Sequence, residues 1–341
     1  MKNLIIPKPI SGGLILSYKC SGECKHCMYL CSPKWNDDWL TEKDLESILT
    51  HLSKKIQPSP YGDETISLNY GLHITGGEPF LNYDLLLKSV EIAKKLEIPS
   101  LFVETNCYWC KNDESTREKL VKLKKVGLNG ILISVNPFIL EYVPFERTKR
   151  AIKISIEIFG QNIMIYQIYY YHQFIKLNIK DRLPLEKYLQ YISINELKKN
   201  VEFFWMGRAP YKLNKLYKKY PLRDFLNDNC SSELVRSWHC HFDNYRNYIP
   251  GYCGGLSWGD IRNLNSLCTD GIDLDNFPIL YALIRGKIDD LYIFATKNFG
   301  YEELKEGYVS KCHVCFDIRK EIALKTNRVN ELTPIEFYHH I

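Results

Sequence analysis

Three cysteines near the N-terminus have a spacing that suits iron–sulfur chemistry. Cys20, Cys24 and Cys27 are separated by three and then two residues, so one loop carries three thiolates. Three thiolates can hold three corners of a [4Fe–4S] cubane and leave the fourth iron without a protein ligand. An open iron is a site for a substrate or a cofactor. The alternative is structural zinc, but such sites use four ligands that commonly come in pairs.

Apart from Cys31, which lies four residues after Cys27, the other cysteines fall into two further groups. The chain has twelve cysteines, and a reducing compartment would leave their thiolates free for metal rather than disulfides. Cys107 and Cys110 form a C-x2-C pair in the middle of the chain. Near the C-terminus, four thiolates could saturate a second cluster or a zinc ribbon. They are Cys240, Cys253, Cys312 and Cys315, with Cys230 and Cys268 as neighbours in the sequence.

Strands that alternate with helical segments must position these residues. Apolar runs predict six strands. Because these strands alternate with helices, we expect a parallel sheet with right-handed crossovers that is curled into a full or partial barrel. The six are Leu14–Tyr18, Ser67–Ile74, Leu101–Val103, Gly130–Val135, Ile163–Tyr171 and Val201–Met206. We expect a first domain over residues 1–210. Residues 211–341 show little apolar periodicity and predict a smaller domain that is stapled by metal.

Polar motifs follow the predicted strands, where parallel sheets place their chemistry. The second strand runs into Gly76-Gly77-Glu78-Pro79. Its glycines allow a close approach of the backbone to a ligand, and its proline fixes the turn, so Glu78 and the peptide carbonyls can bind an ammonium group. Thr105, Asn106 and Ser134 follow or end later strands and offer hydrogen bonds suited to a ribose. Each could instead be a simple turn or strand cap.

These features together resemble the radical S-adenosylmethionine (SAM) superfamily, whose signature is C-x3-C-x-Φ-C after the first strand, with a GGEP motif after the second. The resemblance covers Leu14–Ala209 and implies an α/β fold with a partial (β/α)6 barrel. It implies that Cys20, Cys24 and Cys27 bind the [4Fe–4S] cluster that cleaves SAM. The SAM contacts that it implies are His26, Gly76, Gly77, Glu78, Pro79, Thr105, Asn106 and Ser134. The sequence departs from the family where Cys107 replaces the usual glycine.

The C-terminal cysteines resemble the twitch extension of the same superfamily, a half-length form of the SPASM domain. This resemblance implies a small iron–sulfur domain with one auxiliary [4Fe–4S] cluster on Cys240, Cys253, Cys312 and Cys315. The same count allows a zinc ribbon. Cys107, Cys110 and Cys230 then remain as candidate hydrogen donors to a substrate radical.

The expected function is hydrogen abstraction from a small molecule or a peptide, leading to oxidation, dehydrogenation or another modification. The expected cofactors are SAM and two [4Fe–4S] clusters, with an electron donor such as ferredoxin or flavodoxin. A peptide epimerase with a cysteine hydrogen donor is one alternative, and a non-catalytic zinc module that binds nucleic acid or protein is another.

Charge and hydropathy narrow the choice of partners. The 45 Lys and Arg residues exceed the 40 Asp and Glu residues by only five, and they are scattered along the chain. We therefore do not expect nucleic-acid binding. No run of about 18 uncharged apolar residues predicts a membrane span, so we expect a cytoplasmic protein.

Overall fold

The computed structural model describes residues 3–341, which divide into two compact units. The barrel unit comprises Ile10–Cys24 and Cys31–Glu202. The cysteine-rich unit comprises Lys25–Leu30, Phe203–Ile341 and the described residues 3–9. The predicted domain boundary at residue 210 stays a prediction. The two units are discontinuous in sequence, and the chain passes from the barrel unit to the cysteine-rich unit between Glu202 and Phe203.

The barrel unit is built on five parallel strands in the order β5-β4-β3-β2-β1. The strands are β1 (Ser11–Ile15), β2 (Gly71–Thr75), β3 (Phe102–Thr105), β4 (Gly130–Ser134) and β5 (Ile163–Tyr166). Since β1 and β5 do not pair with each other, the sheet is open. The predicted α/β fold with a partial barrel is confirmed.

Helices follow every strand of this sheet, and those between residues 42 and 159 connect consecutive strands. They are α1 (Glu42–Ser53), α2 (Tyr83–Lys95), α3 (Asp113–Lys125), α4 (Pro137–Leu140), α5 (Phe145–Phe159), α6 (Ile168–Lys176), α7 (Leu185–Tyr188) and α8 (Ile194–Asn200). Helix α1 starts where the sequence indicates, since the Thr41 side chain accepts a hydrogen bond from the backbone N–H of Asp44. Its buried side chains recur at helical spacing and face the core: Leu45, Ile48, Leu49 and Leu52.

The predicted first strand, Leu14–Tyr18, lies three residues later than β1, and two further strand predictions differ more strongly from the structure. The predicted fifth strand ends at Tyr166, and helix α6 begins two residues later, so the aromatic run that follows is helical. Apolar aromatic runs carry no period of their own, which explains this error. The segment 201–206, predicted as a sixth strand, forms no ladder with another strand.

The cysteine-rich unit contains a short antiparallel hairpin and six helices. The hairpin is β6 (Cys240–Phe242) with β7 (Tyr248–Ile249), and the helices are α9 (Ala209–Lys212), α10 (Ser231–Leu234), α11 (Leu264–Thr269), α12 (Pro278–Ile284), α13 (Ile288–Phe299) and α14 (Lys311–Lys325). Helices α12, α13 and α14 bury apolar side chains such as Leu280, Leu291 and Phe316. This unit therefore has an apolar core of its own, although residues 211–341 show little apolar periodicity.

Within residues 3–341, the helices all fall short of the length and apolar character that a membrane crossing requires.

Candidate iron–sulfur and SAM site

The loop that carries the first cysteines begins five residues after β1. Its two ends are tied together, because Cys20 N–H donates to the Ser32 carbonyl at 3.1 Å and Ser32 N–H donates to the Tyr18 carbonyl at 3.3 Å. The chain between Cys20 and Ser32 is therefore a closed loop whose base lies at the carboxyl end of the sheet. Parallel strands bring the segments after β1, β2 and β3 to this same edge.

The GGEP loop packs on the base of the cysteine loop. Gly77 N–H donates to the Ser17 carbonyl at 2.8 Å, and Glu78 N–H donates to the Lys19 carbonyl at 3.0 Å. A Cβ at Gly77 would overlap the Lys19 carbonyl oxygen and would lie 2.9 Å from the Cys20 nitrogen. The close approach that glycine allows here is to the protein's own backbone. Gly77 thereby fixes the position of Cys20.

The Glu78 carboxylate lies inside the protein and is held by three donors. Thr105 Oγ1 donates to Oε1 at 2.9 Å, Asn106 N–H donates to Oε2 at 2.9 Å, and Phe80 N–H donates to Oε1 at 3.3 Å. Burial raises the pKa of Glu78 to about 7, against the lowering effect of these hydrogen bonds. A carboxylate has about four acceptor positions, so one remains for a further donor.

Thr105 has used its whole hydrogen-bonding capacity. Its hydroxyl donates to Glu78 and accepts from Cys107 N–H and from Trp109 Nε1, both at 3.0 Å. A hydroxyl has one donor and two acceptor positions. In this arrangement Thr105 orients Glu78 and has no position left for a ribose.

Asn106 links the GGEP loop to the first cysteine. Its Oδ1 accepts from Tyr108 N–H at 3.0 Å, which fixes the amide orientation, since a backbone N–H requires the oxygen there. Its Nδ2 group therefore points towards Ser21 Oγ at 3.0 Å and Cys20 Sγ at 3.7 Å. An amide donor aimed at this sulfur fits a thiolate that is bound to metal.

Cys107 and Cys110 lie behind this network and are fully buried. Burial raises the pKa of Cys107, and the neighbouring Cys110 raises it further. The backbone closes a turn between them, with Cys110 N–H donating to the Cys107 carbonyl at 3.1 Å. Cys107 has a φ of 66°, in the left-handed region that usually favours the glycine of the family motif.

In the cysteine-rich unit, the turn that contains Cys27 rests on Gly207 and Arg208. Arg208 is 1% exposed, and its guanidinium donates to the Leu30 carbonyl at 2.6 Å while its backbone N–H donates to the Cys27 carbonyl at 3.1 Å. Gly207 has a φ of 63°, and a Cβ there would overlap the Cys27 carbonyl oxygen. Burial and, to a smaller extent, the charge of Arg208 lower the pKa of His26 to about 4, so the imidazole is neutral at pH 7.

The structure groups the C-terminal cysteines differently from the predicted set. Burial raises the pKa of Cys230, and the neighbouring Cys315 and Cys253 raise it further. The same neighbourhood includes Cys312, which contributes in the same direction. Lys311 fixes this proximity, because its Nζ donates to the carbonyl of Asn229 at 2.9 Å. Cys230 directly follows Asn229 and Cys312 directly follows Lys311, so the residues that precede the two cysteines are in direct contact.

Cys240 has other neighbours. The Tyr248 hydroxyl donates to Cys240 Sγ at 3.3 Å, inside the β6–β7 hairpin. Burial raises the pKa of Cys240 to about 11, and the nearby Cys268 contributes to the increase. Of the four predicted auxiliary ligands, Cys253, Cys312 and Cys315 are brought together with Cys230, whereas Cys240 lies with Cys268.

A buried arginine tests whether the cysteine group suits an anionic metal centre. Arg319 is 1% exposed, and the pKa of Cys253 is lowered by its charge, although burial raises that pKa more. Its Nε hydrogen has no acceptor within hydrogen-bonding distance. A buried cation with an unused donor near Cys253, Cys312 and Cys315 fits a negatively charged cluster of thiolates.

Comparison with known proteins supports an iron–sulfur assignment for the N-terminal part. Residues 14–137 match the family model of a 4Fe-4S single cluster domain. The match includes the first cysteines, the GGEP loop and Asn106. It supports a 4Fe–4S cluster in this part of the chain, as the spacing of Cys20, Cys24 and Cys27 predicts. No curated protein matches the sequence.

Several solved structures are distantly similar to the whole chain. Native anSMEcpe with bound AdoMet is 13% identical, with 94% of this chain and 100% of that chain covered and a TM-score of 0.44. Streptococcus suis SuiB bound to S-adenosylmethionine is 17% identical, with 91% and 76% covered and a TM-score of 0.44. BtrN in complex with AdoMet and 2-DOIA is 11% identical, with 79% and 84% covered and a TM-score of 0.39. Similarities this distant carry no conclusion about the reaction or the substrate.

Sequence reasoning missed the roles of Arg208 and Arg319. Each is a single arginine in a sequence with many basic residues, and only burial in the folded chain distinguishes them. Cys230 was visible as a cysteine, but its 22-residue separation from Cys253 resembles no common ligand spacing.

Proposed function

We propose that this chain is a radical SAM enzyme. Its first [4Fe–4S] cluster, on Cys20, Cys24 and Cys27, together with SAM would supply a 5′-deoxyadenosyl radical that abstracts a hydrogen atom from the substrate. The observation that carries this proposal is the attachment of the cysteine loop to the GGEP loop through Gly77, together with the Asn106 amide directed at Cys20 Sγ.

The protein groups around this site have separate tasks in the proposal. Glu78 and the carbonyls of the Gly76–Pro79 turn would bind the ammonium group of SAM, using the remaining acceptor position of the carboxylate. Thr105 and Asn106 would act as positioning residues, because their hydrogen bonds already go to Glu78, Cys20 and nearby backbone groups. His26 and Ser134 are retained as proposed SAM contacts.

A second [4Fe–4S] cluster is proposed in the cysteine-rich unit, with Cys230, Cys253, Cys312 and Cys315 as ligands. Four protein ligands saturate such a cluster, so it can exchange electrons but does not bind substrate through an open iron. This favours oxidation of a substrate radical, with a small molecule or a peptide as substrate and a ferredoxin or flavodoxin as the external electron donor.

The epimerase alternative is less well supported. It requires a thiol that can reach a substrate radical, yet Cys107 and Cys110 are both fully buried. Cys230 lies among the proposed cluster ligands. The zinc-module alternative gives no reason for an amide directed at Cys20 or for the GGEP loop that holds it.

Iron analysis and spectroscopy of anaerobically prepared protein test the proposal. Two cubanes predict about eight irons and eight sulfides per chain and a brown protein. Addition of SAM to the reduced protein is expected to change the EPR signal of only the first cluster. Zinc in place of iron at both cysteine groups would refute the proposal, and iron with no spectral response to SAM would refute its SAM-binding part.

A further inference from the structure

Helix α14 carries two of the proposed cluster ligands and a buried arginine. Arg319 lies four residues after Cys315 and seven after Cys312, so the three side chains share one face of the helix. The arginine is 1% exposed, although arginine is one of the residue types that proteins bury least. Its charge must be balanced inside the protein.

The groups that contact Arg319 are neutral except for sulfur. Its Nη1 donates to the Gly254 carbonyl at 3.1 Å and to the Tyr338 hydroxyl at 3.2 Å, and the Cys315 and Cys253 sulfurs lie close enough to interact with its charge. Over residues 3–341, none of the ion pairs that the structure shows joins Arg319 to a carboxylate. The guanidinium stays protonated even when buried.

The unused Nε donor points to what balances this charge. Nε is buried without an acceptor, while the same side chain satisfies its Nη1 group twice. Thiols would leave a buried cation unneutralised at considerable cost, whereas metal-bound thiolates and sulfides are anionic and accept hydrogen bonds. The side chain is therefore preorganised for an anionic iron–sulfur cluster.

We propose that Arg319 is a positioning residue that raises the reduction potential of the C-terminal cluster and so makes this cluster the internal electron acceptor. The inference rests on the proposed function. A [4Fe–4S]²⁺ cluster with four thiolates carries a charge of −2, and one electron takes it to −3 as [4Fe–4S]⁺. A cation close to Cys315 and Cys253 stabilises the more negative state more strongly, and a hydrogen bond from its unused Nε donor to cluster sulfur would act in the same direction.

The experiment isolates the C-terminal cluster. Full-length protein with Cys20, Cys24 and Cys27 changed to alanine is titrated anaerobically and followed by EPR, with and without a substitution at Arg319. We expect Arg319→Met to make the cluster at least tenfold less reduced at a fixed ambient potential, which corresponds to a midpoint lowered by about 59 mV or more. Arg319→Lys keeps the charge and should show a smaller shift.

Two controls separate this inference from the proposed function. Tyr338→Phe removes a neutral contact of Arg319 and is expected to shift the midpoint much less than Arg319→Met. If Arg319→Met fails to retain iron, Arg319→Gln, which keeps part of the volume and the donor group, is titrated instead. Wild-type potential in an iron-replete variant that lacks the charge would overturn the role of Arg319 alone. Absence of iron from the parent triple variant would instead refute the second cluster.

Discussion

Replacing Cys230 or Cys240 by alanine distinguishes the ligand set that the structure supports from the one that the sequence suggested. Cys230 lies with Cys253, Cys312 and Cys315, so Cys230→Ala removes one of four proposed ligands. Cys240 instead accepts a hydrogen bond from Tyr248 and lies beside Cys268. The two variants remove the same atom from the same unit and therefore serve as matched controls for each other.

The size of each effect follows from ligand counting and hydrogen bonding. With about four irons per cubane, Cys230→Ala is expected to lower the iron content from about eight to about four per chain. Cys240→Ala should keep about eight irons and lose about 1–3 kcal/mol of stability, because the buried Tyr248 hydroxyl loses its acceptor. The apolar core under α12–α14 should keep both variants folded.

The assay is iron and sulfide analysis on anaerobically reconstituted protein, with circular dichroism as the check on folding. The reverse pattern, with full iron in Cys230→Ala and half in Cys240→Ala, would refute the ligand set. Folded protein with full iron in both variants would show that neither cysteine is a ligand.

Three further changes test the first site. Asn106→Leu removes the amide donor from Cys20 Sγ and is expected to lower the midpoint potential of the first cluster, measured by EPR titration without SAM; an unchanged potential would contradict this contact. Gly77→Ala places a methyl group on the Lys19 carbonyl, so we expect a loss of more than about 3 kcal/mol and little folded protein, with wild-type thermal stability as the contrary result. Glu104, the β3 residue before Thr105, accepts a hydrogen bond from Thr75 Oγ1 at 2.7 Å. Burial raises the pKa of Glu104 from 4.5 to about 7, so its ionisation destabilises the fold as pH rises through that range. The free energy of unfolding of the wild type should therefore fall by about 1 kcal/mol between pH 6 and 8.5, whereas that of Glu104→Gln should not. Parallel pH profiles of thermal unfolding for the two proteins would contradict this.

Much of the barrel unit could be predicted from local sequence patterns. Helix α1 follows its Thr41 cap and leucine spacing, and the cysteine motif lies just beyond β1 because parallel sheets place loops there. The residues after Tyr166 could not be assigned correctly, since a run of aromatic and apolar residues is compatible with a strand or a helix until tertiary packing decides.

The finer parts of the site depend on contacts between distant segments. Thr105 matched a motif that suggested a ribose contact, but its hydrogen bonds go to Glu78, Cys107 and Trp109, which only the folded chain shows. The choice of Cys230 over Cys240 depends likewise on the contact of Lys311 with Asn229. Sequence spacing contains no information about either contact.

Formation of 5′-deoxyadenosine tests the central claim most directly. Anaerobically reduced wild-type protein is incubated with SAM, and 5′-deoxyadenosine and methionine are quantified beside a variant with Cys20, Cys24 and Cys27 changed to alanine. We expect both products in equal amounts from the wild type and none from the variant, which should keep about four irons on the C-terminal cysteines. Equal 5′-deoxyadenosine from the two proteins, or none from an iron-replete wild type, would contradict the account.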